Sequence, residues 1–539
     1  MPLHTEIEFE RDICQHLAAH GWQYAEPGAE GDARGWDTPR ALYPPDVLAW
    51  LQASQAQAWA QLSKLHGAAA EAVVLERLRK ALDEQGTLAV LRHGFELVGL
   101  KAPLRLAQFK PALAMNAELQ ARYGANRLRV LRQVRTNHDD IIDLVLCLNG
   151  VPVATAELKT DFTQDVNRAI DQYRFERLPR PKGRAQAEPL LDFPRGALVH
   201  FAVSNRTVFM TTRLLGPATR FLPFNQGDGG GAGNPPNGQG HRTAYLWEQV
   251  WQRDSWLEII GRYLVARRNA KKQVEAVLFP RYHQLDATRK LVQAVLAEGP
   301  GHRYLIQHSA GSGKTNSIAW TAHFLSELHD AQDRKVFSSV LVVSDRNVLD
   351  AQLQEAIYDF QRTTGVVASI TGNDASKSQQ LAQALSGDKK IVVCTIQTFP
   401  FALAAVRELA ATQGKRFAVI ADEAHSSQTG EAASKLKQVL SSEEQQALAD
   451  GGEVSNEDIL AAHMAARAGQ DAGISYFAFT ATPKAKTLEL FGRRPRPEEP
   501  ANATNLPQAF MCTACARRSR RASSSTCCRT TRPTSWRFA

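Results

Sequence analysis

Three groups of residues have the types and spacing to do chemistry. The first is HSAGSGKT, residues 308–315. A Gly-rich turn between a strand and a helix aims backbone N–H groups at a phosphate, and the helix N-terminus adds favourable dipole charge. Gly311, Ser312 and Gly313 would form the cradle. Lys314 would reach the β- and γ-phosphates of ATP, and Thr315 would ligate its Mg2+. The full P-loop pattern places Gly at the first position, where this chain has His308. The competing reading is an ordinary Gly/Ser turn with an exposed lysine. The second group is FAVIADEAH, residues 417–425, an apolar run that ends in Asp422-Glu423-Ala424-His425. An acid at a strand's C-terminal edge can hold Mg2+, and the next acid, Glu423, can polarise the attacking water. Alone, the pair also reads as a helix-capping Asp beside a solvated Glu.

The third group is Asp143 in DIIDLVLCLNG, followed fourteen residues on by Glu157-Leu158-Lys159 in VPVATAELK. Period-two alternation puts Glu157 and Lys159 on one face of a strand. Two converging carboxylates make an oxygen-rich Mg2+ site, and Lys159 would orient the nucleophile or offset developing negative charge. Taken alone, D…ExK is also what two edge-strand acids and a solvated lysine look like. Register offers a test. A strict two-residue turn at Asn149-Gly150 would put Asp143 opposite Ala156 and turn Glu157 to the other face. A metal site therefore requires a longer loop or a bulge, with Pro152 a natural place for it.

These groups need elements to position them. EIEFERDICQHLAAHGW reads as an opening helix, and RLRVLRQVRT, DIIDLVLCLNG and VPVATAELKT read as strands. A helix over about 163–177 and the strands ALVHFAVSN and TVFMTT complete an α+β domain over 1–220. Residues 225–241, NQGDGGGAGNPPNGQGH, read as a loop or linker, so 221–274 is expected to be linker and connecting helices. Over 275–495 the strands YLIQHS, SSVLVVSD, KIVVCTI, FAVIADE and SYFAFTAT alternate with amphipathic helices. That order predicts a parallel sheet covered on both faces.

With 539 residues, 44% hydrophobic and 22% charged, the chain is an ordinary globular mixture. No apolar run approaches the length of a membrane span, and the N-terminus lacks a secretory pattern, so a cytoplasmic protein with no membrane partner is expected. The net charge of +9 suggests a nucleic-acid partner, but seven of those charges are arginines in residues 501–539, leaving +2 for the rest.

The second half resembles the first RecA-like domain of superfamily 2 helicases. GSGKT and the DEAH box carry the resemblance. Gln284 in FPRYHQLDATRK resembles the adenine-reading Q motif, SDRNVLDAQL and CTIQTF the DNA-contacting motifs, and Thr480-Ala481-Thr482-Pro483 motif III. D…ExK, with Gln172 on the following helix and Glu8 on the first, resembles the PD-(D/E)xK nuclease fold of type I restriction endonuclease R (motor) subunits. Gln172 would order the metal's water shell and Glu8 would add a carboxylate. Ile142 stands where that family's name has Pro, and Glu176 stands where a Tyr follows the Gln. TRFLPFNQGDGGGAGNPPNG, YLWEQVW and FPRYHQLDATRKL resemble further stretches of the same subunits.

The resemblance implies an ATP- and Mg2+-dependent enzyme that joins methyltransferase and specificity subunits, translocates double-stranded DNA and cuts it far from the recognition site. It fails near residue 510, where such motors continue into a second RecA-like domain. Three readings fit the Arg/Ser/Cys-rich tail, drawn at 496–539: a zinc site, a basic DNA-binding arm, or an out-of-frame end that truncates the motor. The last is favoured, because GC-rich DNA read out of frame gives this composition; it implies a disordered tail and a motor-defective chain. Two alternatives remain: a non-enzymatic remnant that binds DNA or the methyltransferase core, and a stand-alone repair nuclease–helicase.

Overall fold

The computed structural model describes residues 6–513, apart from 112–115, 161–164, 230, 239, 310, 345–346, 361–364, 371–379, 381–382, 386, 388, 396–398, 423–472, 484, 501 and 503–504. The chain divides into two units. The first runs to Gly229 and resumes over Gly233–Tyr282, and the second begins at His283. Among the described residues no helix is long and apolar enough to cross a membrane.

The first unit is built on a six-stranded mixed sheet: β1 (Leu128–Arg135), β2 (Ile141–Leu148), β3 (Val151–Lys159), β4 (Val199–Ser204), β5 (Val208–Thr211) and β6 (Leu222–Pro223), in that order. All pairs are antiparallel except β3 with β4. A parallel pair needs a crossover, and a helix over the sheet supplies it. Both β3 and β4 are buried along their whole length, so Val, Ala and Leu alternate with Glu157 and Lys159 inside the protein. The opening helix, α1 (Glu6–Ala19), buries Phe9, Ile13, Cys14 and Leu17 and lies against β1 and β3.

Two expectations change here. The helix drawn over 163–177 is a short helix, Val166–Asp171, that widens into a single π-turn over Gln172–Glu176. Such turns occur often at functional sites. The stretch 221–274 is more than a tether, and its last residues enter a two-stranded ribbon, β7 (Val265–Arg268) with β8 (Val274–Leu278). Trp251 and Trp256 are buried against Phe201 of β4, and Phe279 joins them, so these residues complete the first unit's core through Tyr282.

The second unit is a seven-stranded sheet, parallel throughout. Its strands are β9 (Arg303–His308), β10 (Ser339–Ser344), β11 (Val367–Ile370), β12 (Ile391–Thr395), β13 (Phe417–Asp422), β14 (Ile474–Thr480) and β15 (Met511–Thr513), and their order is β11-β12-β10-β13-β14-β9-β15. The apolar runs read from the sequence are its central strands, buried on both faces as parallel sheets require. The tail boundary at 496 is corrected. Asn505 is buried and closes the loop on Arg496 through hydrogen bonds of 2.8 and 3.0 Å. Arg493 pairs with Glu298 at 2.6 Å and stacks over Tyr304 and Phe510, and β15 extends the sheet beside β9. Residues 514–539, with Cys515, Cys527 and Cys528, lie outside the described residues.

Candidate active sites

In the first unit the decisive feature is a bulge. Asn149 (φ +48°) and Gly150 (φ +79°) form the two-residue turn between β2 and β3. At Gly150 a Cβ would meet the Tyr43 carbonyl at 2.4 Å, so only glycine fits. Leu148 pairs with Val151 and Cys147 with Pro152, but Leu146 then pairs with Ala154, so Val153 is an extra residue. The inserted residue shifts every later partner by one and flips the facing set. Leu144 pairs with Ala156, and the same register carried one step further sets Asp143 opposite Glu157. Turn and bulge thus occur together, next to Pro152.

Asp143, Glu157 and Lys159 are all buried. Asp143 accepts a hydrogen bond from the Leu158 N–H at 2.8 Å. The Lys159 ammonium lies 2.8 Å from Glu6 and 4.0 Å from Asp143 and donates to the Leu158 carbonyl. Carboxylate oxygens of Glu6, Glu10 and Asp143 lie within 4.8 Å of one another. Glu6 and Glu10 are one turn apart on α1 and so share a face. Glu8 is half-buried and is not one of these three.

Two side chains of β1 hold Glu10. Arg132 donates to it from Nε at 3.0 Å, and Gln133 donates from Nε2 at 2.8 Å, with Asp143 a further 3.4 Å contact. Gln133 has φ +52°, a left-handed conformation that costs a residue with a Cβ about 1–2 kcal/mol. Burial, and then the Asp143 charge, push the Glu10 carboxyl up to about 7 despite its bonds to Arg132 and Gln133.

Glu157 is held from the other side. Its Oε1 accepts from Arg177 Nε at 3.0 Å, while its Oε2 is buried with no hydrogen-bonding partner. Burial and the Asp143 charge raise this carboxyl well above the usual range, against the pull of Arg177 and Lys159. Gln172 opens the π-turn, and its Oε1 is likewise buried without a partner. Glu176 pairs with Arg168 at 2.6 Å. Glu6, Glu10 and Asp143 converge as an oxygen donor set that fits a hard divalent cation, while Glu157 is not one of the three and stands beside them with an orphaned buried oxygen. Glu6, Glu10, Gln133 and Arg177 were missed in the sequence. The EIEFE spacing carried a signal for the first two, since carboxylates at i and i+4 converge on a helix.

In the second unit, β9 ends in His308, and the loop turns through Gly311 (φ +75°) and Gly313 (φ +86°) into the helix α2 (Lys314–Ser326). His308 occupies the P-loop pattern's first-Gly position. It is fully buried, its ring edges meet His283 and Phe479, and its Nδ1 lies 3.3 Å from the Ser312 hydroxyl. Burial lowers its pKa to about 3, so the imidazole is neutral. Gln284 donates to the Gly313 carbonyl at 2.9 Å, and His283 lies 3.1 Å from the Ser312 carbonyl. Lys314 and Thr315 open this helix, at the end where its dipole favours an anion. The Lys314 ammonium is 3.0 Å from Asp422 at the C-terminal edge of β13. Between them runs β14, ending in buried Thr480. Glu423, Ala424 and His425 lie outside the described residues, as do parts of SDRNVLDAQL and CTIQTF.

The first unit thus carries a carboxylate–lysine site and the second a Gly-rich loop facing an acid across a parallel sheet, the arrangement of an enzyme with a hydrolytic and a nucleotide-handling half. Residues 4–218 match the family of the Type I restriction enzyme R protein N terminus (HSDR_N), and residues 283–449 match the SWI2/SNF2 ATPase family. These similarities support a nuclease/ATPase enzyme with a restriction and motor role. No curated protein matches the chain. Among solved structures it is similar to a nuclease-deletion mutant of the Type ISP restriction-modification enzyme LlaGI in complex with a DNA substrate mimic (18% identity, TM-score 0.25, 38% of this chain and 17% of that one). It is also similar to T4 UvsW (13%, 0.24, 41% and 32%) and to the Pyrococcus furiosus Hef helicase domain (16%, 0.23, 38% and 36%). The matched stretch therefore spans well under half of each of those chains.

Proposed function

We propose that this chain is the restriction subunit of a type I restriction-modification enzyme, with a PD-(D/E)xK nuclease unit followed by a first RecA-like motor domain. The observation that carries the reading is the Val153 bulge, which sets Asp143 opposite Glu157 in the region that matches the R-protein N terminus. Asp143 and Glu157 hold Mg2+, with Glu10 and Glu6 beside them. The bound cation would activate water and stabilise charge on the phosphodiester. Lys159 orients the nucleophile and offsets the negative charge that develops during cleavage. Glu157 engages its site with the oxygen that Arg177 leaves free, and Gln172 orders water at the same place.

In the motor unit Gly311, Ser312 and Gly313 cradle the phosphates of ATP. Lys314, which pairs with Asp422 in this structure, would reach the β- and γ-phosphates, and Asp422 and Thr315 would hold the nucleotide's Mg2+. Glu423 polarises the attacking water, and Gln284 reads the adenine while bracing the loop. The partners are double-stranded DNA and the methyltransferase and specificity subunits, in the cytoplasm. The testing experiment is paired. Nicking of circular duplex DNA is measured with and without Mg2+, and ATP hydrolysis is measured with and without DNA, in the intact chain and in the Lys159→Ala and Lys314→Ala variants. Each activity should be lost in its own variant only.

A further inference from the structure

A cleft of about 450 Å³ is lined in part by Gln133 and Arg132, the two side chains that hold Glu10. Its size lies within the range of pockets that hold small organic ligands. One wall is apolar, with Pro27 and Trp36. Its charged lining is three arginines, Arg34, Arg132 and Arg135, against one aspartate, Asp32. Asp32 pairs with Arg34 and Arg132 pairs with Glu10, so those charges offset each other and Arg135 carries the net positive charge of the lining. The side chains of Arg34 and Arg135 are each 68% exposed, and Arg135 has only a loose 3.5 Å pair with exposed Asp139. The inner wall is shared with the carboxylate site: Gln133 lines the cleft and also reaches Glu10 and Asp143.

An anion with a flat apolar body matches this lining, and a nucleotide is such a molecule. We propose that the cleft is a nucleotide subsite, which takes one nucleotide of the strand to be cut while the neighbouring phosphate lies at Asp143 and Glu157. The base lies against Trp36 and Pro27, and the flanking phosphate meets Arg135 and Arg34. The assignment rests on the nuclease reading of the adjoining site. It also gives Gln133 a reason for its left-handed backbone, which points one side chain at the boundary between substrate and carboxylates.

The test uses the intact chain in EDTA, where no cleavage occurs, with duplex DNA carrying 5-iododeoxyuridine. Irradiation should crosslink the DNA to Trp36. In Arg135→Ala the slope of log affinity against log salt should fall by about 1, the loss of one phosphate contact. The crosslink at Trp36 should fall with it, while thermal unfolding stays unchanged. A crosslink that never reaches residues 25–36 or 132–135 would overturn the proposal. So would labelling of Trp36 by free 5-iododeoxyuridine monophosphate as efficiently as by DNA, which would make the cleft a free-nucleotide site. The two failures are distinguishable. If nicking does not depend on Lys159 while Trp36 still crosslinks, the nuclease reading falls and the substrate subsite falls with it, leaving a DNA contact at the cleft. If nicking depends on Lys159 while Arg135→Ala changes neither crosslink nor salt slope, only the subsite falls.

Discussion

The guanidinium of Arg177 holds one oxygen of Glu157 at 3.0 Å, at a carboxylate with no solvent exposure whose other oxygen has no hydrogen-bonding partner. The pair spans the π-turn and β3, and it fixes the direction in which the free oxygen can act. Removing one partner of a buried pair strands the other, at a cost of about 3–5 kcal/mol. Arg177→Ala should therefore destabilise the first unit by roughly that amount in urea unfolding. Adding Glu157→Gln should restore a large part of it, because no charge is then left buried. Additive losses in the double variant would show that the two side chains are not coupled.

Glu10 gives a pH dependence with a definite sign. Its carboxyl titrates near 7 in the folded protein against an ordinary value of 4.5. The folded state keeps the proton longer, so this contribution is complete below pH 4.5 and is lost as pH rises to about 7. The 2.5-unit difference corresponds to about 3 kcal/mol. Chemical unfolding of Glu10→Gln between pH 4.5 and 7 should show a flatter profile than the parent. Divalent-cation binding should release protons near pH 6, and less so in the variant. An unchanged pH profile would remove Glu10 from the cluster.

Lys314 and Asp422 are paired but not sealed, with side chains 21% and 16% exposed. Their separation should change resting stability little, by under about 1 kcal/mol. Mg2+-ATP should raise the melting temperature of the parent, because a ligand at 100 times its Kd adds about 2.7 kcal/mol. Lys314→Ala should abolish that rise and leave the resting melting temperature nearly unchanged. A retained nucleotide shift would place the phosphates elsewhere.

Gly313 tests the loop itself. Its φ is +86°, and a Cβ there would come within 2.6 Å of the Gln284 amide. Gly313→Ala should cost about 1–2 kcal/mol in backbone strain. It should also push Gln284 off the Gly313 carbonyl and lower nucleotide affinity more than Gln284→Ala does. Equal effects of the two substitutions would mean that the glycine serves no conformational purpose.

Much of this was legible because apolar periodicity and turn chemistry act locally. Five strands of each sheet and the need for a longer loop or a bulge near Asn149-Gly150 follow from spacing alone, whereas the short strands β6, β11 and β15 do not. The features that were missed are long-range. Glu10 reaches Arg132 across 122 positions, and Lys159 reaches Glu6 across 153, so only the packing of α1 on the sheet reveals them. The boundary at 496 failed for a related reason. Composition marks the Arg-rich run, but Arg493 between Tyr304 and Phe510 is a tertiary contact that holds the chain to the sheet beyond that point. The 221–274 stretch looked like a linker because its glycines dominate the pattern, while the burial of Trp251 and Trp256 depends on Phe201 some 50 positions earlier.

The most direct measurement is nicking of a supercoiled circular duplex by the purified chain, with Mg2+ as the variable, alongside Lys159→Ala. The Lys159 ammonium is buried against Glu6, Asp143 and the Leu158 carbonyl, so thermal unfolding is measured beside activity and only a folded variant is compared. Open-circle product is expected only with Mg2+ and the parent chain, and none above background in a Lys159→Ala protein that melts within a few degrees of the parent. Equal Mg2+-dependent nicking by the folded variant would contradict the nuclease site at Asp143, Glu157 and Lys159.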